Sequence, residues 1–466
     1  MKNKKLLPVV LFLTILTLFV QIVSANVGLI VFAQEDDTPI LQDSGLTTEL
    51  VSASLKDPTS MTFIGPNDIL VTEKNTGTVQ RVINGKIMDE PLLDVNVNGE
   101  DERGLLGITT SKNSTTGKNY VFLYYTEAEP GTRVGEEEAD DDDGSEEQTS
   151  NGDGGQPIGN RLYRYELSEN GSKLVNPKLL LDLPYLPGPA HNGGAITIGP
   201  DNNVYLAVGE MTPTSYGQGD YRFKVQNYED GREPDGRAGI LRISQDGDTV
   251  QSIIGNNYPE NIYYAYGIRN SFGIAFDPLT QKLWDTENGP SFGDEINLVE
   301  PGFNSGWAKV LGIWKVEEVI NDEGDREILK GEAIPANIGN SLFSFNGSGR
   351  YSSPELSWDQ TIAPTSVAFL NSSKLGTQYE NDIFVGTAKN VLLHFDLDGK
   401  DRSALFLNGS LADKVADSTD ELVDATFAEN LGIITDLEVG PDGNLYVLTG
   451  VREAEGKIYR IVPSIT

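Results

Sequence analysis

The chain has 466 residues, with 35 Lys and Arg against 70 Asp and Glu, for a formal net charge of −35. It contains no cysteine and two histidines, His191 and His394. Disulfides, zinc–thiolate centres, iron–sulfur clusters, thiol nucleophiles and any three-histidine metal site are therefore excluded; a metal would be held by oxygen, which points to calcium or magnesium. An acidic surface of this size repels nucleic-acid phosphates and anionic lipid heads, so no nucleic-acid partner is expected.

In chain order, the first element reads as a targeting segment. Lys2, Lys4 and Lys5 precede an apolar run from Leu6 to Val23, and Val23-Ser24-Ala25 and Val31-Phe32-Ala33 both offer small-residue cleavage sites. Residues 1–34 are expected to be a signal peptide, or a membrane anchor if neither site is cut. Either way the body is extracytoplasmic, secreted or tethered to the outer face of the membrane, with membrane contact only through this segment. Residues 35–46 read as a polar linker and 47–466 as one folded unit.

Within that unit one pattern recurs six times. An alternating apolar strand, a turn and a second apolar strand ending in small or polar residues begin near Met61, Leu106, Ala195, Phe272, Thr365 and Thr435. Period-2 alternation marks half-buried strands, and Pro with Asp or Asn sets the turns. One hairpin cannot bury both faces, whereas six stacked radially can. The expected fold is all-β, a six-bladed β-propeller of four-stranded antiparallel blades. The C-terminal strand Gly456 to Pro463 is expected to share a blade with the N-terminal end and close the ring. The stretch of about 134–157, acidic and rich in Gly, Ser and Asp, is expected to be a disordered insertion.

Two polar, Gly-rich segments sit at strand ends, where a propeller places residues around its channel. In Gly188-Pro189-Ala190-His191-Asn192-Gly193-Gly194 the histidine is flanked by glycines, unlike a packed strand residue, and an imidazole titrates near neutral pH as a general base must. The second runs from Tyr266-Gly267-Ile268-Arg269-Asn270 through Glu287 to Asn297 and on to Asn304-Ser305-Gly306-Trp307. Its carboxylates, amides and Gly-Pro turn are donors that suit a hard cation, although loop packing explains them equally well. His394, in the apolar strand VLLHF, reads as a blade residue.

Taken in order, Arg103-Gly104-Leu105-Leu106-Gly107, His191-Asn192-Gly193-Gly194, Gly267-Ile268-Arg269-Asn270, Gly289-Pro290, Asp294-Glu295-Ile296-Asn297 and Asn304-Ser305-Gly306-Trp307 resemble the signatures of the glucose/sorbosone dehydrogenase family. That resemblance implies a calcium-containing quinoprotein that oxidises an aldose sugar at C1 and passes hydride to pyrroloquinoline quinone (PQQ). It also implies the roles of particular residues. His191 would be the general base and Arg269 would stabilise charge on the reduced cofactor. Asn270 and Lys389 would contact the cofactor. Gly289 and Pro290 would give carbonyls to its calcium, and Glu295 with the carbonyl of Ser305 would hold a second, structural calcium. The electron acceptor is not indicated.

The chain also departs from the pattern. Quinone-binding members carry two arginines just ahead of an aspartate that resembles Asp436, and here those positions are Ile433 and Thr435. Losing two charge-assisted hydrogen bonds costs about 3–6 kcal/mol, or roughly 100- to 10,000-fold in affinity. Glu102 stands where members often have Gln, adding an anion beside a tricarboxylate. Two other readings follow: a non-catalytic, calcium-stabilised propeller that binds sugar, glycan or protein, and a calcium-dependent lactonase-like hydrolase.

Overall fold

The computed structural model describes residues 38–113, 115–130, 155–211, 222–320, 326–451 and 455–464. Among the described residues the chain is all-β apart from short 3-10 turns. Among the described residues, six sheets have four or more strands. Each of the six sequence repeats supplies the first two strands of one sheet: Pro58–Gly65 with Asp68–Glu73, Leu105–Lys112 with Asn119–Ala128, Ile196–Ile198 with Val204–Val208, Ser271–Phe276 with Leu283–Glu287, Pro364–Phe369 with Ile383–Thr387, and Ile434–Val439 with Leu445–Thr449. The first strand of each sheet packs against the first strand of the next, and Ile434–Val439 returns to Pro58–Gly65, so these six strands form a closed ring.

The second strands differ from the half-buried expectation. Val204–Val208, Leu283–Glu287, Ile383–Thr387 and Leu445–Thr449 are buried at every position. Each lies between two neighbouring sheets, so both of its faces meet apolar side chains. In Val204–Val208, for example, Val204, Leu206 and Val208 pack in one apolar cluster and Tyr205 and Ala207 in another. Burying a side chain of this kind stabilises by roughly 1.5–3 kcal/mol. Polar residues at the ends of such strands are carried inside with them: Asp285, Thr286 and Glu287 are fully buried.

The last sheet joins both ends of the described chain. Leu46–Leu55 pairs antiparallel with Gly456–Pro463, which pairs with Leu445–Thr449. Asp436 fastens this sheet to the first one, accepting from Ser60 Oγ at 2.9 Å and from the Met61 amide at 2.7 Å.

Two boundaries require correction. Ile40 and Leu41, read as linker, pair with Glu429 and Ala428, because the outer edge of the fifth sheet otherwise leaves backbone donors and acceptors open. At the far end of the acidic insertion, the Glu129 amide donates to the Gln156 carbonyl at 2.9 Å, and Pro157 already begins the strand Pro157–Leu167. The rest of that insertion and the targeting segment lie outside the described residues. No helix among the described residues is long and apolar enough to cross a membrane.

Candidate active site

A cavity of about 810 Å³ runs along the axis of the ring, lined by residues from all six first strands. His191, Arg269, Asn270, Gly289, Pro290 and Glu102 all border it, together with Ile433, Thr435 and Asp436. Lys389 is exposed and lies beside Ala388, which borders the cavity. Glu295 and Ser305 lie behind the wall and are buried.

The loop before the third sheet sets His191 in the left-handed region, at φ 60°. Its amide donates to Glu102 Oε2 at 2.7 Å, and Asn270 Nδ2 lies 3.4 Å from the same oxygen. Gly107 makes this approach possible, since a Cβ there would stand 1.9 Å from the Gly194 carbonyl oxygen. His191 Nδ1 lies 3.3 Å from Glu210 Oε1. The other oxygen of Glu210 accepts from Trp307 Nε1 at 2.8 Å and from Gln226 Nε2 at 3.0 Å. The imidazole is therefore held by a carboxylate that is itself held on its far side.

Arg269 is buried, its amide donating to Glu287 Oε1 at 2.5 Å and its Nη1 to the Asn288 carbonyl at 2.6 Å. Its guanidinium stands 5.5 Å from the centre of the Trp307 ring, so one indole touches both the arginine and the carboxylate behind His191. Burial lowers the Arg269 pKa, opposed by the charges of Glu210, Glu102, Glu287 and Asp294.

Behind Gly289 and Pro290 lies a set of buried oxygen donors. Ser305 Oγ bridges Glu287 Oε2 at 2.8 Å and Glu295 Oε2 at 3.0 Å, and Asn297 Nδ2 donates to Glu295 at 2.9 Å. Burial raises the pKa of Glu295 to about 7 and that of Asp285 to about 8. Glu287 is raised well above its usual range, first by burial and then by the charges of Glu295 and Asp285. Asp294 turns to the Gly289 loop, accepting from the amides of Gly289 (2.8 Å), Ile362 (2.7 Å) and Ala363 (2.8 Å). Among the described residues, both carboxylate oxygens of Asp285 and the amide oxygen of Asn297 are buried without a hydrogen-bond partner. An all-oxygen, anionic donor set of this kind fits calcium.

The fit to a tricarboxylate quinone is uneven. Arg269 and Asn270 face the cavity on one side, and among the described residues the side-chain oxygens of Asn270 and Asn288 are buried without partners. On the last sheet the wall is Ile433, Thr435, Asp436 and Glu438. Glu438 is raised well above the usual carboxylate range by burial and then by Asp436. Among the described residues, the lysine and arginine side chains bordering the cavity are Lys74 and Arg269, and Lys74 Nζ donates to Asn75 Oδ1 and the Gly99 carbonyl, each at 2.9 Å.

Sequence reasoning did not single out Glu210 or the bridging role of Trp307. A signal for Glu210 existed: it stands at the end of the second arm of its repeat, two residues past Val208, as Glu73, Glu127 and Glu287 stand at or next to the ends of theirs.

The ring of sheets, the imidazole–carboxylate pair at the axial cavity and the buried oxygen donors beside it define an all-β protein built around a polar axial site. The chain belongs to the family described as Glucose / Sorbosone dehydrogenase, whose profile it matches over residues 55–334 and 335–460. It is 26% identical over 423 residues to the aldose sugar dehydrogenase YliI of Escherichia coli, covering 90% of this chain and 93% of that one. Among solved structures it resembles the apo-form of the soluble aldose sugar dehydrogenase of Escherichia coli (TM-score 0.61, 22% identity, 90% of this chain and 100% of the other). It also resembles the PQQ-bound form of the aldose sugar dehydrogenase of Streptomyces coelicolor (TM-score 0.56, 21% identity, 90% and 99%).

Proposed function

We propose that this chain is an extracytoplasmic, calcium-containing quinoprotein dehydrogenase that oxidises an aldose at C1, built as a six-bladed β-propeller. The closed ring of six first strands supports the propeller reading. The observation that carries the functional reading is the convergence of His191, Arg269 and the Gly289-Pro290 turn on one cavity.

In this reading Glu210 keeps a proton on Nδ1 of His191, so that Nε2 takes the proton from the sugar C1 hydroxyl; Glu210 then stabilises the imidazolium. Arg269, Asn270 and Lys389 hold the quinone, with Glu102 tying Asn270 to the His191 loop. Gly289 and Pro290 would give backbone carbonyls to one calcium ion, and Glu295 with the carbonyl of Ser305 would hold a second, structural one. The quinone, if bound, would supply the hydride acceptor, and a calcium ion the Lewis acidity that favours its reduction. The buried Arg269 guanidinium supplies a fixed positive charge at the cavity wall without reorganisation during reaction. The substrate is a small neutral sugar, compatible with a cavity bordered by Glu102, Asp436 and Glu438.

Ile433 and Thr435 favour a second reading, a calcium-stabilised propeller that binds sugar, glycan or protein without catalysis. Calorimetric titration of PQQ into the calcium-loaded protein separates the two. Binding followed by dye reduction with aldoses is the expected result, and failure to bind at millimolar quinone defeats the enzyme reading. Thr435→Arg is expected to tighten quinone binding about 10- to 100-fold, the worth of one charge-assisted hydrogen bond. Unchanged affinity in that variant would mean that the last sheet does not face the cofactor's carboxylates.

A further inference from the structure

We propose that Asp382, His394 and Asp396 form a binding site for a divalent transition-metal ion, with zinc as its probe, on the fifth sheet away from the axial cavity. His394 lies on Val391–Phe395, the third strand from the axis, and pairs there with Phe384; Asp382 immediately precedes the neighbouring strand Ile383–Thr387. The residue just before one strand, Asp382, and the residue just after the other, Asp396, thus bring two carboxylates to one imidazole nitrogen.

His394 Nε2 is 3.1 Å from Asp382 Oδ2 and 3.8 Å from Asp396 Oδ1, and the three atoms all lie within 4.8 Å of one another. Ligand atoms about 2.0–2.1 Å from a tetrahedral ion stand roughly 3.3–3.4 Å apart, a separation that the two measured values bracket. The imidazole is fixed in this direction by aromatic neighbours, with Tyr379 edge-on at 5.1 Å and Phe384 at 5.0 Å between ring centres. Asp396 is anchored through its carbonyl, which accepts from the Phe406 amide at 2.8 Å.

The charge balance favours a cation. Two carboxylates face one imidazole, and among the described residues no lysine or arginine forms an ion pair with either. Access is graded: the Asp382 side chain is 11% exposed, His394 19% and Asp396 55%, so an ion enters past Asp396 and is held by the two inner groups. The nitrogen donor selects against calcium, which prefers oxygen throughout, and for zinc or a similar borderline ion. Binding displaces a proton if His394 is protonated and leaves at least one coordination position to water. The site is independent of the dehydrogenase reading.

Because the chain has two histidines, the test is direct. Untagged full-length protein carrying ¹³C-labelled histidine is titrated with zinc in excess calcium, which keeps the oxygen sites filled, and the two Cε1–H signals are followed by NMR. His394→Gln assigns the signals. The expected result is that one equivalent of zinc moves the His394 signal and leaves that of His191 in place. Asp396→Asn, at the exposed position least able to disturb folding, should weaken zinc at least about 10-fold. A His394 signal unmoved by excess zinc, the two signals shifting together, or wild-type affinity in Asp396→Asn would each overturn the site and leave the three residues as an ordinary ion pair network.

Discussion

Replacing His191 with glutamine is expected to lower dye-linked sugar oxidation by roughly 10²- to 10⁴-fold, the usual contribution of a positioned general base. Glutamine keeps the backbone amide that Glu102 accepts and a polar group toward Glu210, so the loop has little reason to move. The melting temperature and its response to calcium should therefore match the parent protein. Glu210→Gln should retain more activity than His191→Gln, because the base survives and loses only the charge that steadies its protonated form. If His191→Gln oxidises sugar as fast as the parent, the base lies elsewhere and the cavity has been misread. If Glu210→Gln is the worse of the two, the carboxylate rather than the imidazole takes the proton.

The second large effect concerns stability in the absence of calcium. Burial raises Glu295 from 4.5 to about 7 and Asp285 from 3.8 to about 8 in the folded chain, and lifts Glu287 in the same direction. A carboxyl with a raised folded-state pKa holds its proton where the unfolded chain has already lost it. Its contribution is intact below the unfolded value, near pH 4, and is lost as the pH rises toward the folded value. Chelated protein should therefore become less stable between about pH 4.5 and pH 8, by on the order of 3 kcal/mol from Glu295 alone. Calcium should reverse the slope, since the ion binds the deprotonated donors and supplies the missing counter-charge. Melts at pH 5 and pH 8, each in chelator and in calcium, check both statements. Glu295→Gln should flatten the chelated profile and remove much of the calcium response. Chelated protein that gains stability from pH 5 to pH 8 would show that these carboxylates are not held as described.

Much of the architecture could be read from local pattern. The six apolar hairpins, from the one at Met61 to the one at Thr435, became the first two strands of six sheets, because strand alternation and Pro/Asn/Asp turns are properties of neighbouring residues. The motif residues His191, Arg269, Asn270, Gly289 and Pro290 were also visible, since glycines and polar groups at strand ends interrupt an otherwise apolar period. Burial on both faces of the second strands was not visible. Alternation reports the sheet a strand belongs to, not the neighbouring sheets that cover it.

What the sequence determined by itself is the all-β class, the sixfold hairpin repeat, the exclusion of thiol and polyhistidine chemistry, and the order of the polar segments. Tertiary structure alone decided which distant groups meet. It set Glu210 against His191, put the Trp307 indole between Glu210 and Arg269, paired Ile40–Leu41 with the fifth sheet, and gathered Asp382, His394 and Asp396 around one nitrogen. The physical reason is that periodicity fixes the face on which a side chain emerges, whereas its partner depends on how separate sheets stack and on where the ring closes. That is a property of non-local packing, which no window of adjacent residues contains.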